Sequence, residues 1–406
     1  MNLGIVSIFP EKNKKHSHKG GVASYTRNLV EGIITNDKKI KLVVLADRGK
    51  KEKSYFEYQN QVKVIRSWHR GYCFFRDIIG SVKKEDLKIL HLHQEFRLYG
   101  EIFTSILFLW LLWRLKKMGV KTVVTVHGVL SQKAIDRDFV KENNISLPPL
   151  FVKLAFTFVF KGIGKLADRI IVHENLFKKF LINDYGVDGS KVFVIFHGVE
   201  DRKAKITLKK ARDLLKIKKK KVVLFFGYVT GYKSPDLLLE AFADYSKTDK
   251  DSLLIFAGGK HPKMKDDKKY LKKYESLKKL SRKIKEDQLW WYGFIEEKDI
   301  EKIIMAADIL VFPYHVAISA SGPLAFALAY QKPFLLSETL AGMFTNKKII
   351  FKNNPKSLLL KLEEFFNKEI EIKDFVKRER EKRLWKNIAK KTLNVYNNLI
   401  PLDKSR

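Results

Sequence analysis

Short apolar, β-branched runs alternate with helical stretches along this chain, and that alternation constrains the fold more than any other feature. In the first half the runs fall at 2–9, 40–46, 62–67, 88–93, 121–127, 168–173 and 191–196. A second series starts with Lys221-Val222-Val223-Leu224-Phe225-Phe226-Gly227 and continues at 252–257, 289–292, 308–312, 332–336 and 348–351. Strands separated by helices pair in parallel and are covered by helices on both faces. The restart at Lys221 predicts two doubly wound α/β domains, 1–199 and 221–380. The lysine-rich stretch 200–220, with little apolar periodicity, reads as a linker, and a last helix lies within 381–406. Ligands of such sheets sit outside the carboxyl ends of the strands, here expected in a cleft between two facing domains.

The 406 residues hold 80 Lys and Arg against 45 Asp and Glu, a formal net charge of +35. Such a field attracts anionic lipid, nucleic acid and phosphorylated ligands alike. Cys73 is the only cysteine, so an intramolecular disulfide and a cysteine-based metal cluster are excluded. The N-terminus enters a strand directly, with no leader pattern, which predicts a cytoplasmic protein. The longest apolar run, Ile106 to Trp113, is far shorter than the roughly 20 residues that cross a bilayer. With two tryptophans and a following Arg114-Leu115-Lys116-Lys117, it suits an interfacial helix on the inner face of an anionic membrane. A helix buried against the sheet is the competing reading.

Residues with chemistry cluster at the expected strand ends. Lys19-Gly20-Gly21-Val22 follows the first strand and opens a helix, where backbone N–H groups and the helix dipole favour an anion. His91 and His93 share one face of a strand, His127-Gly128 ends the next, and His197-Gly198 ends a later one. In the second half Lys233 follows Gly227 in a strand–loop–helix unit, and Ser319 and Ser321-Gly322 precede a helix opened by Pro323. Each has a plainer role available: strand-end histidines are often structural hydrogen-bonders, and Ser-x-Ser-Gly caps helices without any ligand. Asp136-Arg137-Asp138 has metal-pair spacing but sits in a polar stretch that reads as a solvated loop.

In this order, these residues resemble the retaining glycosyltransferases of family 4, which have the GT-B fold. The likeness runs from Gly20-Gly21-Val22 through His91-Leu92-His93-Gln94-Glu95-Phe96, Val126-His127-Gly128, Ala167 to His173 and Phe196-His197-Gly198-Val199. It continues in Gly227 to Leu237, Phe256-Ala257-Gly258-Gly259 and Ala307 to Tyr314, and ends in the last helix from Trp385, which in the family crosses back to the first domain. The resemblance implies an acceptor-side first domain carrying His93 and Glu95, and a second domain that binds a nucleotide diphosphate sugar. It implies that Gly20, Gly21 and Lys233 neutralise the diphosphate, with N–H groups near Ser319, Ser321 and Gly322 on sugar or phosphate oxygens. His127 would stand beside the reacting sugar, and Gly293, Phe294 and Ile295 would hold the base. The mechanism implied is front-side attack with retention, in which the leaving phosphate accepts the acceptor's proton and no metal or other cofactor is needed. The acceptor would be a glycan or lipid-linked glycan, as in cell-surface polysaccharide synthesis. Nucleic acid is not expected as a partner of such an enzyme.

Three positions depart from the family. Tyr228 stands where an arginine is expected, and Ile318 and Phe326 stand where two glutamates are expected. Ser319-Ala320-Ser321-Gly322 resembles a serine–glycine version of that segment. The departures keep a second reading open: a nonenzymatic protein on the same scaffold that binds anionic glycan or nucleic acid.

Overall fold

The computed structural model describes residues 2–12, 14, 20–49, 53–101, 104–142, 145–264 and 266–399. Lys19, and the end of the segment that follows the last helix, lie outside the described residues. The chain forms two compact units: Met1–Gly198 with Ile318–Ala320 and Arg383–Arg406, and Val199–Ala317 with Ser321–Lys382.

The first unit runs β1 (Leu3–Ser7), α1 (Gly21–Asn36), β2 (Leu42–Asp47), β3 (Tyr55–Glu57), β4 (Val62–Trp68), α2 (Phe74–Lys84) and β5 (Ile89–Gln94). It continues with α3 (Thr104–Lys117), β6 (Lys121–Val126), α4 (Arg137–Glu142), α5 (Pro149–Leu166), β7 (Arg169–Val172), α6 (Asn175–Asn183) and β8 (Val192–Val194). Its sheet has the order β3-β4-β2-β1-β5-β6-β7-β8. Pairing is parallel except at the β3–β4 edge. The strand order reverses between β1 and β5, the place where open α/β sheets bind ligands. Every residue of β1 and β5 is buried, including His91 and His93, as central parallel strands covered on both faces require.

The second unit runs α7 (Leu208–Leu214), β9 (Lys221–Phe226), α8 (Pro235–Thr248), β10 (Ser252–Ala257), α9 (Lys268–Ser281), β11 (Leu289–Gly293), α10 (Glu297–Ala306) and β12 (Ile309–Phe312). Then come α11 (Gly322–Ala329), β13 (Phe334–Ser337), β14 (Ile350–Phe351), α12 (Pro355–Phe366) and α13 (Lys373–Arg383). Its all-parallel sheet has the order β11-β10-β9-β12-β13-β14, reversing between β9 and β12.

Residues 200–220 are more than a tether. The α7 helix packs on α10 with Ala211 buried, and the Arg212 guanidinium reaches Asp308 at 2.7 Å and the Ala306 carbonyl at 3.0 Å. Arg202 also donates to the Tyr330 hydroxyl at 3.3 Å, and Lys219 pairs with Asp287 at 2.7 Å.

The last helix, α14 (Trp385–Asn397), packs on α1 within the first unit, and Ile388, Ala389 and Tyr396 join its core. Just before it, Arg383 donates to both Glu174 carboxylate oxygens at 2.6 and 3.1 Å, with both side chains 3% exposed, and lies 4.0 Å over the Phe196 ring. Glu174→Gln would remove the negative charge from this buried ion pair. We expect a loss of about 3–5 kcal/mol, read from urea denaturation of the first unit.

Candidate functional site

In the second unit the strand-order reversal positions a lysine. From β9 the chain turns through Gly227 and a tight turn at Gly231–Lys233 before α8 begins. Gly227 has φ +113°, and a Cβ there would meet the Lys233 Nζ at 3.0 Å and Pro323 Cγ at 2.9 Å. The ammonium is therefore folded back over the β9 end, beside the first turn of α11. Its Nζ donates to the Tyr228 carbonyl at 3.0 Å and lies 5.7 and 5.9 Å from the ring centres of Tyr232 and Tyr314. Lys233 is 6% exposed, and burial alone pushes its pKa down from 10.5 to about 8. No carboxylate among the described residues pairs with it.

Lys332 shows what a purely structural buried lysine looks like. Its pKa is also lowered to about 8 by burial, but its Nζ donates to the Met305 and Ala307 carbonyls at 2.9 and 2.7 Å, at the C-terminal end of α10 where the dipole favours a cation. Lys233 instead faces a helix N-terminus. The Ser321 hydroxyl caps α11 by accepting from the Leu324 N–H at 3.3 Å and lies 3.3 Å from the Tyr314 hydroxyl. A buried ammonium beside a helix start adds positive potential to positive potential, a combination that anion binding stabilises. Ser234, next to the lysine, is held at φ +40°, a strained conformation for a side chain, by a 2.7 Å bond between its hydroxyl and His315 Nδ1.

Close backbone approach continues along the strand ends. A Cβ on Gly258 would lie 2.1 Å from the Gly227 carbonyl oxygen, and the Gly258 N–H donates to the Gly293 carbonyl at 2.6 Å. This brings Tyr228, His261 and Phe294 together, with Tyr228 ring centres 5.2 Å from His261 and 6.4 Å, nearly parallel, from Phe294. Phe294 is 65% exposed and Ile295 half-buried, so one aromatic face remains open to a planar ligand.

In the first unit, strand ends β5, β6 and β7 bring histidines together. His173 Nδ1 lies 3.2 Å from the Ile195 carbonyl, which can only accept, so that nitrogen carries the proton. His173 Nε2 then accepts from His127 Nδ1 at 3.1 Å, and His127 Nε2 accepts from His93 Nδ1 at 3.1 Å. The chain of tautomers ends at His93 Nε2, a buried lone pair with no partner among the described residues. Tyr25 of α1 packs its ring edge-on against His93 and His127 at 5.4 and 4.8 Å. Burial holds all these imidazoles neutral: His91 and His173 are pushed down to about 3, and His93 and His127 well below the ordinary value.

His127, 6% exposed, thus spends both ring nitrogens on other histidines, leaving its ring edge rather than a free nitrogen for any ligand. His173 was not singled out by its chemistry in the sequence, although it ends a strand just as His93 and His127 do. Glu95 is exposed one residue beyond β5. Gly20 has φ +106°, and a Cβ on Gly20 or Gly21 would meet nothing within 4 Å among the described residues. Among the described residues no side chain caps the first turn of α1. Asp136 caps α4 by accepting from the Phe139 N–H at 2.8 Å. Among the described residues no group of three His, Cys, Asp or Glu is arranged to hold a metal ion.

Ile318 and Phe326, at the positions of the two missing glutamates, are both half-buried. The Ile318 carbonyl lies 2.9 Å from where a Gly128 Cβ would be, and Ser319, which is exposed, bridges to Gly128 in antiparallel fashion. Phe326 packs edge-on against Phe226 at 5.7 Å under the Arg202 guanidinium at 5.0 Å.

Residues 19–203 match the model of Glycosyltransferase Family 4, and residues 207–382 match that of Glycosyl transferases group 1. The chain is thus built from the two Rossmann-like domains of a family-4-like glycosyltransferase with the GT-B fold. Spore coat protein SA of Bacillus subtilis is 23% identical over 199 residues, covering 46% of this chain and 51% of that protein. An uncharacterized glycosyltransferase of Methanocaldococcus jannaschii is 23% identical over 189 residues, covering 46% of this chain and 45% of that one. The matches span about half the length of these curated relatives. Anabaena HepE, solved with UDP, has a TM-score of 0.68 at 12% identity, covering 98% of this chain and 100% of its own. HepE has also been solved with UDP-glucose.

Proposed function

We propose that this protein transfers a sugar from a nucleotide diphosphate sugar to a hydroxyl acceptor, with retention at the anomeric carbon. The observation that carries this reading is the buried Lys233 ammonium, without a carboxylate partner, beside the N-terminus of α11. The lysine and the helix start neutralise the donor diphosphate, and Ser321 and Gly322 supply N–H groups to phosphate or sugar oxygens. The open Phe294 face stacks the base, with the Gly293 and Ile295 backbone alongside it. In the first unit, Gly20 and Gly21 open α1 without a side-chain cap, a helix start that suits an anion.

In the reaction the bond from the anomeric carbon to the phosphate oxygen breaks and a bond to the acceptor oxygen forms on the same face. The acceptor's proton passes to the departing phosphate, so orientation and charge neutralisation are the protein's chief tasks. His127 orients the reacting sugar through its ring edge, and His93 and Glu95 lie on the acceptor side. HepE, solved with UDP-glucose, favours a uridine nucleotide. A lipid-linked or free glycan fits as the acceptor.

A panel of UDP-, GDP- and ADP-sugars tests this reading by thermal shift. The donor at 100 times its dissociation constant should stabilise the protein by about 2.7 kcal/mol. Phe294→Ala should weaken that donor by about 1–3 kcal/mol, the worth of base stacking on an aromatic ring. If no nucleotide shifts the melting curve, the reading is wrong. Ile318 and Phe326 in place of carboxylates favour a second reading, a binding protein that has lost transfer. Nucleotide binding without release of sugar or nucleotide, across acceptors, would select it.

A further inference from the structure

Crossover helices bury one stripe against their sheet and show polar residues to solvent. Here α3 and α5 do otherwise. Their inner stripes are complete: Phe108, Leu111, Leu112 and Leu115 on α3, and Val152, Phe156, Val159, Phe160 and Ile163 on α5. Yet α3 also carries Ile106, Trp110 and Trp113 on its outer face, and α5 carries Phe151, Leu154 and Phe158. These six side chains are each 41–59% exposed and recur at the three- and four-residue spacing that lines one side of a helix. The two helices pack together, with Leu109 seated where a Cβ on Gly162 would be, 2.5 Å away. The outer stripes therefore lie on neighbouring helices, with Trp110 also packed edge-on against Phe75 of α2 at 4.5 Å.

Charge follows the same order on both helices. Past the apolar stretch come Lys116 and Lys117 on α3 and Lys161 and Lys165 on α5, all exposed. The Lys116 Nζ lies 3.5 Å from the Lys165 carbonyl, so the two lysine ends sit side by side. Neither helix contains an aspartate or glutamate. No helix among the described residues is long and apolar enough to cross a membrane.

We propose that this α3–α5 face docks on an anionic lipid bilayer, with its aromatic and aliphatic stripe in the headgroup–acyl boundary and its lysines on the headgroup phosphates. Charge selects the occupant. A second copy of a chain with net charge +35 would bring lysine against lysine, whereas anionic lipid neutralises them. Each lysine near such a surface strengthens binding by roughly fivefold. The sequence pointed to α3 alone; the apolar outer stripe of α5 makes the surface two helices wide. The inference is independent of the donor site, since vesicle binding and nucleotide binding are measured separately.

Flotation of the full chain with vesicles of phosphatidylcholine alone, or with 30% phosphatidylglycerol, tests it. Binding to the anionic vesicles should be at least tenfold tighter than to phosphatidylcholine and should weaken as salt rises. Trp110→Ser with Phe158→Ser, and separately Lys117→Glu with Lys161→Glu, should each lose at least tenfold while circular dichroism stays unchanged. Brominated lipid should quench tryptophan fluorescence in the wild type and much less in Trp110→Phe with Trp113→Phe. Equal vesicle binding by wild type and the apolar double variant would overturn the proposal. So would no binding at all, or a dimer in sedimentation that the same variant dissolves.

Discussion

Lys233→Met should abolish measurable nucleotide binding and, at the same time, raise the melting temperature of the ligand-free protein. The two effects have one cause. A lysine whose pKa falls from 10.5 to about 8 on burial holds its charge at pH 7 at a cost on the order of 3 kcal/mol. The group is depressed in the folded state, so the unfolded chain binds more protons between pH 8 and 10.5. The penalty is complete below about pH 8 and is relieved as pH rises through that window. Methionine fills similar space without the charge and gives up one hydrogen bond, to the Tyr228 carbonyl. The net gain is about 2 kcal/mol, or roughly 4–8 °C for a domain of this size. In the wild type, UDP affinity should be flat to about pH 8 and then fall by about tenfold per pH unit, because the anion binds the charged lysine. Calorimetry at pH 7 and 9 on both proteins checks both halves. A variant that melts lower and binds UDP within twofold of wild type would make Lys233 structural, like Lys332.

The strand positions were legible because parallel strands covered on both faces must be apolar along their whole length. Of the fourteen strands among the described residues, thirteen lie at runs expected from the sequence alone. The exception, β3, has three residues on an antiparallel edge, too few to show a period. Lys233 was legible as a candidate through its place after Gly227. Its lack of a carboxylate partner was not, because pairing depends on which side chains the fold brings near. The histidine relay was half visible. His93 and His127 stood at strand ends, but only the parallel register of β5 and β6, which sets His93 opposite Thr125 and Gln94 opposite Val126, places their rings in line with His173. The outer stripe of α5 was missed because Pro149–Leu166 is apolar on two sides, and only burial tells which side faces the sheet.

The same histidines should make the first unit sensitive to mild acid. His91 and His173 are fully buried and neutral, and burial pushes each from 6.5 to about 3. The unfolded chain therefore binds more protons than the folded one between about pH 3 and 6.5, and stability falls as pH falls through that range. At pH 5 each costs about 2 kcal/mol, and the pair about 4 kcal/mol. His93 and His127 act in the same direction, and adjacent imidazolium charges would repel one another. Against a typical stability of about 5–15 kcal/mol, this places acid unfolding of the first unit near pH 5, above the ordinary carboxylate range. In the second unit no histidine among the described residues is buried, so hydrogen exchange at pH 5 should open β1, β5 and β6 while β9 and β10 stay protected. His173→Gln separates titration from packing. Its amide can donate to the Ile195 carbonyl and accept from His127 Nδ1, preserving both bonds of the relay, but it takes up no proton. The variant should match wild type at pH 8 and exceed it by about 2 kcal/mol at pH 5. Identical acid profiles for the two proteins, or a wild type unchanged down to pH 4, would mean that these buried imidazoles do not govern the stability of the first unit.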